Sequence, residues 1–291
     1  MNRSFDTNIF NSTSSIESDI VFNVIRSLVY TLITLLILLG NTLCLLVLER
    51  IKSMPESTKI LLISLTISDL GIGLFVVLPL IGSAYLDDWP YSPGFCLLQA
   101  FLVELFTNVG LFTVTAVSLE RYLAVSQPFR FPGVLTRVRS LVAVVALWVL
   151  SMVQPIILGL GSNWSPRFDT SYELCRYVEE GLASEFFLYT SVSLLVFIPY
   201  VLTLILYYRL VKIANHHAAR IFAVVSGPND TAVDQSSRKK PRASRINTKA
   251  AKTFLVIMCA FGLAWGPVIV VEILRTFLGS ALQDTLNSLG L

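Results

Sequence analysis

Few side chains in this 291-residue chain could do chemistry, and most of them stand in apolar surroundings. Asp69 closes the run Leu65-Thr66-Ile67-Ser68-Asp69. An ionisable group inside a membrane costs roughly 2.5–3.5 kcal/mol on insertion scales, so it should face other helices and have a role. Asn41 is a natural hydrogen-bond partner for it. A cation such as sodium is a second occupant, and a protonated carboxyl acting as structural glue is a third reading. Glu104 has Asn108 four positions on, hence on the same side of a helix. Together they offer acceptors to a ligand, although Glu104 could equally snorkel to an interface. Glu120-Arg121-Tyr122 ends another apolar run. Glu120 and Arg121 can pair with each other, or Arg121 can reach a neighbouring helix; either contact is a lock that a conformational change opens.

None of these groups makes a recognisable catalytic set. A serine hydrolase needs a nucleophile with a base in reach, but the two histidines are His216 and His217 in a polar connection, and Gly159-Leu160-Gly161-Ser162 is not GxSxG. No cluster has metal-ligand spacing. We expect neither an enzyme, a metal nor a cofactor. The chemistry is binding and switching.

The elements that must hold these residues are set by composition. The chain is 54% hydrophobic and 14% charged, with mean hydropathy +0.71, whereas a soluble domain carries about 25% charged residues. Six apolar segments, at about 27–48, 60–82, 97–121, 139–160, 186–208 and 251–276, each reach the roughly 20 residues of a spanning helix. In lipid the backbone must satisfy its own hydrogen bonds, so helices are expected rather than strands. The third segment is the central post. Cys96 and Arg121 are 25 positions apart, roughly 37 Å of helix at about 1.5 Å per residue.

Orientation follows from the basic residues. The connections 49–59, 121–139 and 209–252 hold 3, 4 and 10 of the 22 Lys and Arg, against Arg3, Arg26, Arg167, Arg176 and Arg275 on the other side. The positive-inside rule then puts the N-terminus outside. Residues 1–26 read as a polar extracellular segment with glycosylation sequons at Asn2 and Asn11, and the first span as a signal-anchor. Of the four cysteines, Cys44 and Cys259 lie in apolar runs, while Cys96 and Cys175 lie in connections on the outer side. A Cys96–Cys175 disulfide is expected, in the compartment where disulfides persist. The third inner loop, 209–250, ends in a basic run over 238–245 that suits anionic lipid or a topology signal, with Ser244 as a modification candidate. Residues 277–291 begin a third outer loop. Pro79, Pro155, Pro199 and Pro267 permit kinks within spans. Phe261 and Trp265, one helical turn apart before Pro267, suit an aromatic lever beside a hinge.

Taken in order along the chain, these positions resemble the rhodopsin-like (class A) G-protein-coupled receptors. Gly40-Asn41 with Val47 looks like the first-helix motif, and Leu65 with Asp69 the second-helix LxxxD. Trp89 and Cys96 resemble the first outer loop and anchoring cysteine. Glu120-Arg121-Tyr122, followed by Pro128-Phe129, is similar to the inner-end motif and second inner loop. Trp148 matches the fourth helix, Pro199 with Tyr207 the fifth, and Phe261, Trp265 and Pro267 the sixth. The resemblance implies an all-α membrane protein, a seven-transmembrane receptor bundle of which six helices are present here. It implies a ligand pocket between helices, with Val103, Glu104, Asn108, Trp265 and Glu272 as candidates. It also implies a heterotrimeric G protein as inner partner, met by Arg121 and Phe129 and admitted when the sixth helix swings, with Tyr207 holding the active arrangement. Membrane lipid is the surrounding partner, and nucleic acid is not expected. Val103 stands where amine receptors carry an aspartate, which argues against a biogenic amine of the usual type. The seventh helix with its NPxxY motif is not found, so this stretch alone is expected to signal poorly. The alternatives are a six-span transporter or channel, which should show matching halves or several deep ionisable residues, and a non-signalling truncated receptor.

Overall fold

In the computed structural model, residues 3–51, 54–127, 133, 136–160, 164–170, 173–179, 195 and 197–213 are described, with side chains from residue 20 onward except at 164, 165, 178 and 179. The elements are α1 (Arg3–Arg50), α2 (Glu56–Ile72), a π-helical turn (Gly73–Val77), α3 (Leu78–Leu86), α4 (Pro93–Ser126), α5 (Arg137–Leu160), β1 (Trp164–Asp169) and β2 (Leu174–Glu179). A further helix, α6, covers 197–213. The chain forms two compact units, one of Met1–Thr113 with Leu141–Glu180 and one of Val114–Ser140 with Gly181–Leu291.

Among the described residues, four helical stretches are long and apolar enough to cross a membrane: Ile20–Arg50, Glu56–Leu86, Pro93–Ser126 and Arg137–Leu160. Their outward faces stay apolar. Leu28, Leu32, Leu36, Leu39 and Leu43 are all exposed along α1, one or so per turn, the pattern of a face turned to hydrocarbon. The segment at 251–276, with Phe261, Trp265, Pro267 and Glu272, lies outside the described residues, as do Pro128 and Phe129, Asn2, and the side chain of Asn11.

Two features differ from the sequence reading. Helix α1 runs back to Arg3, through the stretch read as a polar N-terminal segment. No Gly or Pro occurs before Gly40, so nothing local stops the helix. The connection after α5 forms an antiparallel hairpin, with Phe168 opposite Cys175 and Asp169 opposite Leu174.

Local chemistry sets the element ends. Ser92 caps α4, accepting the Phe95 backbone N–H on its Oγ at 3.2 Å, with Pro93 in the first helical position, where its missing N–H is harmless. Thr136 does the same for α5, accepting from the Arg139 N–H at 3.4 Å. Pro79 comes two residues after the end of the π-helical turn, which Leu78 closes with its N–H on Gly73 O. A proline cannot donate to the preceding turn and clashes with it; widening the helix there relieves the crowding. The Pro79 carbonyl then accepts from Tyr91 Oη at 3.1 Å.

One residue ties this kink to the hairpin. Gln99 is fully buried in α4. Its Nε2 donates to Val76 O in the π-helical turn at 3.2 Å, and its Oε1 accepts the Cys175 N–H at 3.0 Å. The Cys96–Cys175 disulfide lies beside it, with Cα atoms 5.3 Å apart. A second junction joins α2, α4 and α5. Trp148 Nε1 donates to Ser64 Oγ at 3.0 Å, Phe106 packs edge-on against Trp148, and the Phe106 ring lies so close to Gly71 that a Cβ there would stand 2.4 Å from it.

Gly71→Ala is therefore expected to destabilise the protein by about 1–3 kcal/mol through overpacking. Gly110→Ala, whose Cβ would meet only Ser68 Oγ at 3.6 Å, should stabilise it by about 0.4–1 kcal/mol. Thermal unfolding of both variants in detergent micelles checks the contrast, and equal shifts would contradict it. By the same measurement Gln99→Leu should lower stability by about 2–4 kcal/mol, because a buried N–H and a buried C=O each lose a partner at about 1–3 kcal/mol; a wild-type melting temperature would refute that role.

Candidate functional site

Of the residues singled out by type and spacing, Cys96, Val103, Glu104 and Asn108 lie in the first half of α4, and Glu120, Arg121 and Tyr122 in its last turns. In the first unit the hairpin is pinned over the start of the helix. Beyond the disulfide, Arg26 of α1 pairs with Glu173, donates to Asp87 Oδ1 at 2.7 Å and to Asn23 Oδ1 at 2.6 Å, and lies 5.0 Å over the Phe22 ring. Asp87 takes the left-handed conformation that ends α3, at φ 55°, which Asp tolerates better than most residues. Its pair with Arg26 is largely exposed and contributes little, about 0.2–1 kcal/mol; the Glu173 pair is better shielded. Trp89 adds an aromatic box, stacking on Phe95 at 5.8 Å and tilting against Phe168 of β1 at 5.7 Å.

Beneath the hairpin, Glu104 lies within electrostatic reach of Arg176 and Tyr177 of β2. Arg176 also pairs with Asp169 at 3.4 Å. Burial, and secondarily the Glu104 carboxylate, hold the Tyr177 phenol above its ordinary pKa, so it is a neutral donor at physiological pH. Val103 is half-buried in the same turn of α4. Asn108 has a partner that the sequence reading did not name. Its Nδ2 donates to Gln154 Oε1 at 2.8 Å, both residues buried, so its amide N–H joins α4 to α5.

Asp69 is half-buried in α2. The expected contact with Asn41 is not formed: Asn41 Nδ2 donates to Ile37 O on its own helix at 2.9 Å. Ser68, beside Asp69 in the chain, likewise bonds back to Leu65 O at 2.7 Å. Among the described residues no group of three or more His, Cys, Asp or Glu side chains is placed to hold a metal ion.

In the second unit, Glu120 is almost fully buried and its Oε2 lies 3.2 Å from Arg121 Nε, whose side chain is 38% exposed. Of the two partners read for Arg121, the neighbouring carboxylate is in place, and the sixth apolar segment, 251–276, lies outside the described residues. Tyr122 is half-buried in the same turn. Tyr207 of α6 is buried with Leu210, against Val125 and Val211, and hydrogen-bonds to Ser118 one turn before the ion pair. Pro199 is buried in α6, and its carbonyl accepts from Thr115 Oγ1 at 3.4 Å. Thr115 also meets Thr203 Oγ1 at 3.1 Å. Sequence reasoning passed over Gln99, Thr115 and Thr203. The signal was available: each is a polar side chain inside an apolar run, where it must find a partner.

Comparison with known proteins places this geometry. The family model described as 7 transmembrane receptor (rhodopsin family) matches residues 40–289. The histamine H2 receptor of Canis lupus familiaris is 28% identical over 264 residues, covering 90% of this chain and 68% of that protein. The 5-hydroxytryptamine receptor 4 of Cavia porcellus is 26% identical, covering 84% of the chain and 66% of that receptor. A GQ-coupled rhodopsin of Mizuhopecten yessoensis is 22% identical, covering 85% and 49%. These relatives are membrane receptors and not enzymes. With its model matched over most of its length, the chain belongs to the rhodopsin family of seven-transmembrane receptors.

Proposed function

We propose that the protein is a cell-membrane receptor whose disulfide end faces outside, and that ligand binding there drives a heterotrimeric G protein at the Glu120–Arg121 end. The observation that carries this reading is the ion pair itself. A carboxylate held almost out of contact with solvent needs its cation, so Glu120 restrains Arg121, and a G protein that offers Arg121 other acceptors shifts the population to the open form. Tyr207, beside Ser118, and Pro199, tied to Thr115, are positioned to transmit that change between α4 and α6.

Two of the relatives have names that specify amine ligands, histamine and 5-hydroxytryptamine. In this chain Val103 replaces the amine-pairing aspartate, and Glu104 under the hairpin supplies the acidic group instead. We assign the ligand to Val103 and Glu104 of α4, with Trp265 and Glu272 as the further candidates that the family resemblance adds, and we assign to Asn108 a structural role beside Gln154. A transporter reading finds no support among the relatives.

The test is nucleotide exchange on purified heterotrimeric G proteins by the receptor in vesicles. Arg121→Ala should lower exchange at least roughly tenfold, the scale of a charge-assisted contact of about 1.5–3 kcal/mol. Glu120→Gln should raise basal exchange severalfold, because Arg121 loses its anionic restraint. Exchange that neither substitution alters would overturn the proposal.

A further inference from the structure

Glu104 and Asn108 lie on one side of α4, four positions apart. Asn108 donates to Gln154 Oε1 of α5 at 2.8 Å, and that bond fixes one end of the Gln154 amide. The other end, Nε2, has no hydrogen-bond partner among the described residues, although Gln154 is only 8% exposed. A buried N–H with neither water nor an acceptor is costly. The contrast with Gln99 is direct, since that buried amide is satisfied at both ends. Two other buried atoms of the first unit also lack a partner, Arg26 Nε and Glu173 Oε2, but they belong to side chains that pair with each other. Gln154 has no such compensation.

An acceptor from outside the chain would supply what the fold withholds. Glu104 stands one helical turn nearer the hairpin than Asn108, roughly 6 Å along the axis at about 1.5 Å per residue. A carboxylate and, about one turn deeper, an unengaged donor make two poles of opposite demand. The first asks for a cation and the second for a hydrogen-bond acceptor.

We propose that Gln154 Nε2 contacts the ligand, donating to an acceptor atom about one helical turn from the cationic group that Glu104 holds. The ligand class is then a small monoamine with an acceptor at the far end of a compact body. This inference rests on the assignment of Glu104 as the acidic group of the ligand site. Asn108 is a positioning residue, acting through its bond to Gln154 Oε1.

The experiment measures binding, so it does not depend on G-protein coupling. Dissociation constants are taken from ligand-induced thermal stabilisation of the full chain in phosphatidylcholine nanodiscs, with tryptamine, 5-methoxytryptamine and 5-hydroxytryptamine as probes. All three share the amine and the ring system; the methoxy oxygen only accepts, whereas the hydroxyl accepts and donates. On the wild type, 5-methoxytryptamine should bind roughly five- to tenfold tighter than tryptamine, the effect of one hydrogen bond. In Gln154→Met that ratio should fall to about one. The double variant Asn108→Leu with Gln154→Met strands neither partner and should also give a ratio of about one. A glutamine that served the fold alone would weaken all probes together and leave the ratio in place, and that result would overturn the proposal. Glu104→Gln should weaken all three probes at least roughly tenfold, as expected for a charge-assisted contact. Glu104-dependent binding with a wild-type ratio of about one would mean that Gln154 holds a structural water only; it would overturn this proposal and leave Glu104 as the amine site. A preference for 5-hydroxytryptamine without one for 5-methoxytryptamine would show an acceptor where we assign a donor, and would overturn it as well. Stabilisation by none of the probes would overturn both the amine reading of Glu104 and this subsite.

Discussion

Hydrocarbon supplies no hydrogen bonds, so every polar group that enters it must find its partner in the protein. That constraint explains the internal joints of this structure. Gln99 satisfies a carbonyl of the π-helical turn and an N–H of β2 with a single side chain. Trp148 and Ser64 meet across α5 and α2, and Asn108 and Gln154 across α4 and α5. In the other unit Thr115 reaches both Thr203 and the Pro199 carbonyl. Polar contacts worth little in water become the means of setting helix register here, because the alternative is an orphaned group at several kcal/mol.

The same constraint accounts for the kinks. Pro79 breaks the backbone ladder, and the cost is met by the π-helical turn before it and by Tyr91, which donates to the proline's own carbonyl. Tyr91 and Trp89 in turn form the aromatic box under the hairpin. The kinked span, the first connection and the hairpin thus make one mechanical unit, closed covalently by Cys96–Cys175 and ionically by Arg26 with Glu173. A stiff cover over the start of α4 fits a site that discriminates among ligands, since pre-organised groups lose less entropy on binding.

The end of α4 that carries Glu120 and Arg121 is built on a different principle. It has no covalent closure among the described residues, and its central contact is an ion pair in which one member is buried and the other half-exposed. Such a pair is sensitive to any new acceptor offered to the arginine. In the function proposed above, the first end reads the ligand and the second meets the G protein.

The sequence alone determined the membrane character and the identity of the motif-bearing residues, and it located the four apolar stretches that form helices long enough to span. Hydropathy and length are sums over residues, and the Glu120-Arg121-Tyr122 pattern is local. It also marked Cys96 and Cys175 as partners, since their connections share one side of the membrane. Only the tertiary structure decided which polar side chains meet. Asn41 turned back to Ile37 instead of reaching Asp69, Asn108 was committed to Gln154, and Gln99 became the joint between a helix kink and a strand. Periodicity specifies the face a residue occupies on its own helix, but helix rotation and spacing specify what faces it. Those depend on packing such as the Phe106 ring on Gly71, between residues 35 positions apart in the sequence.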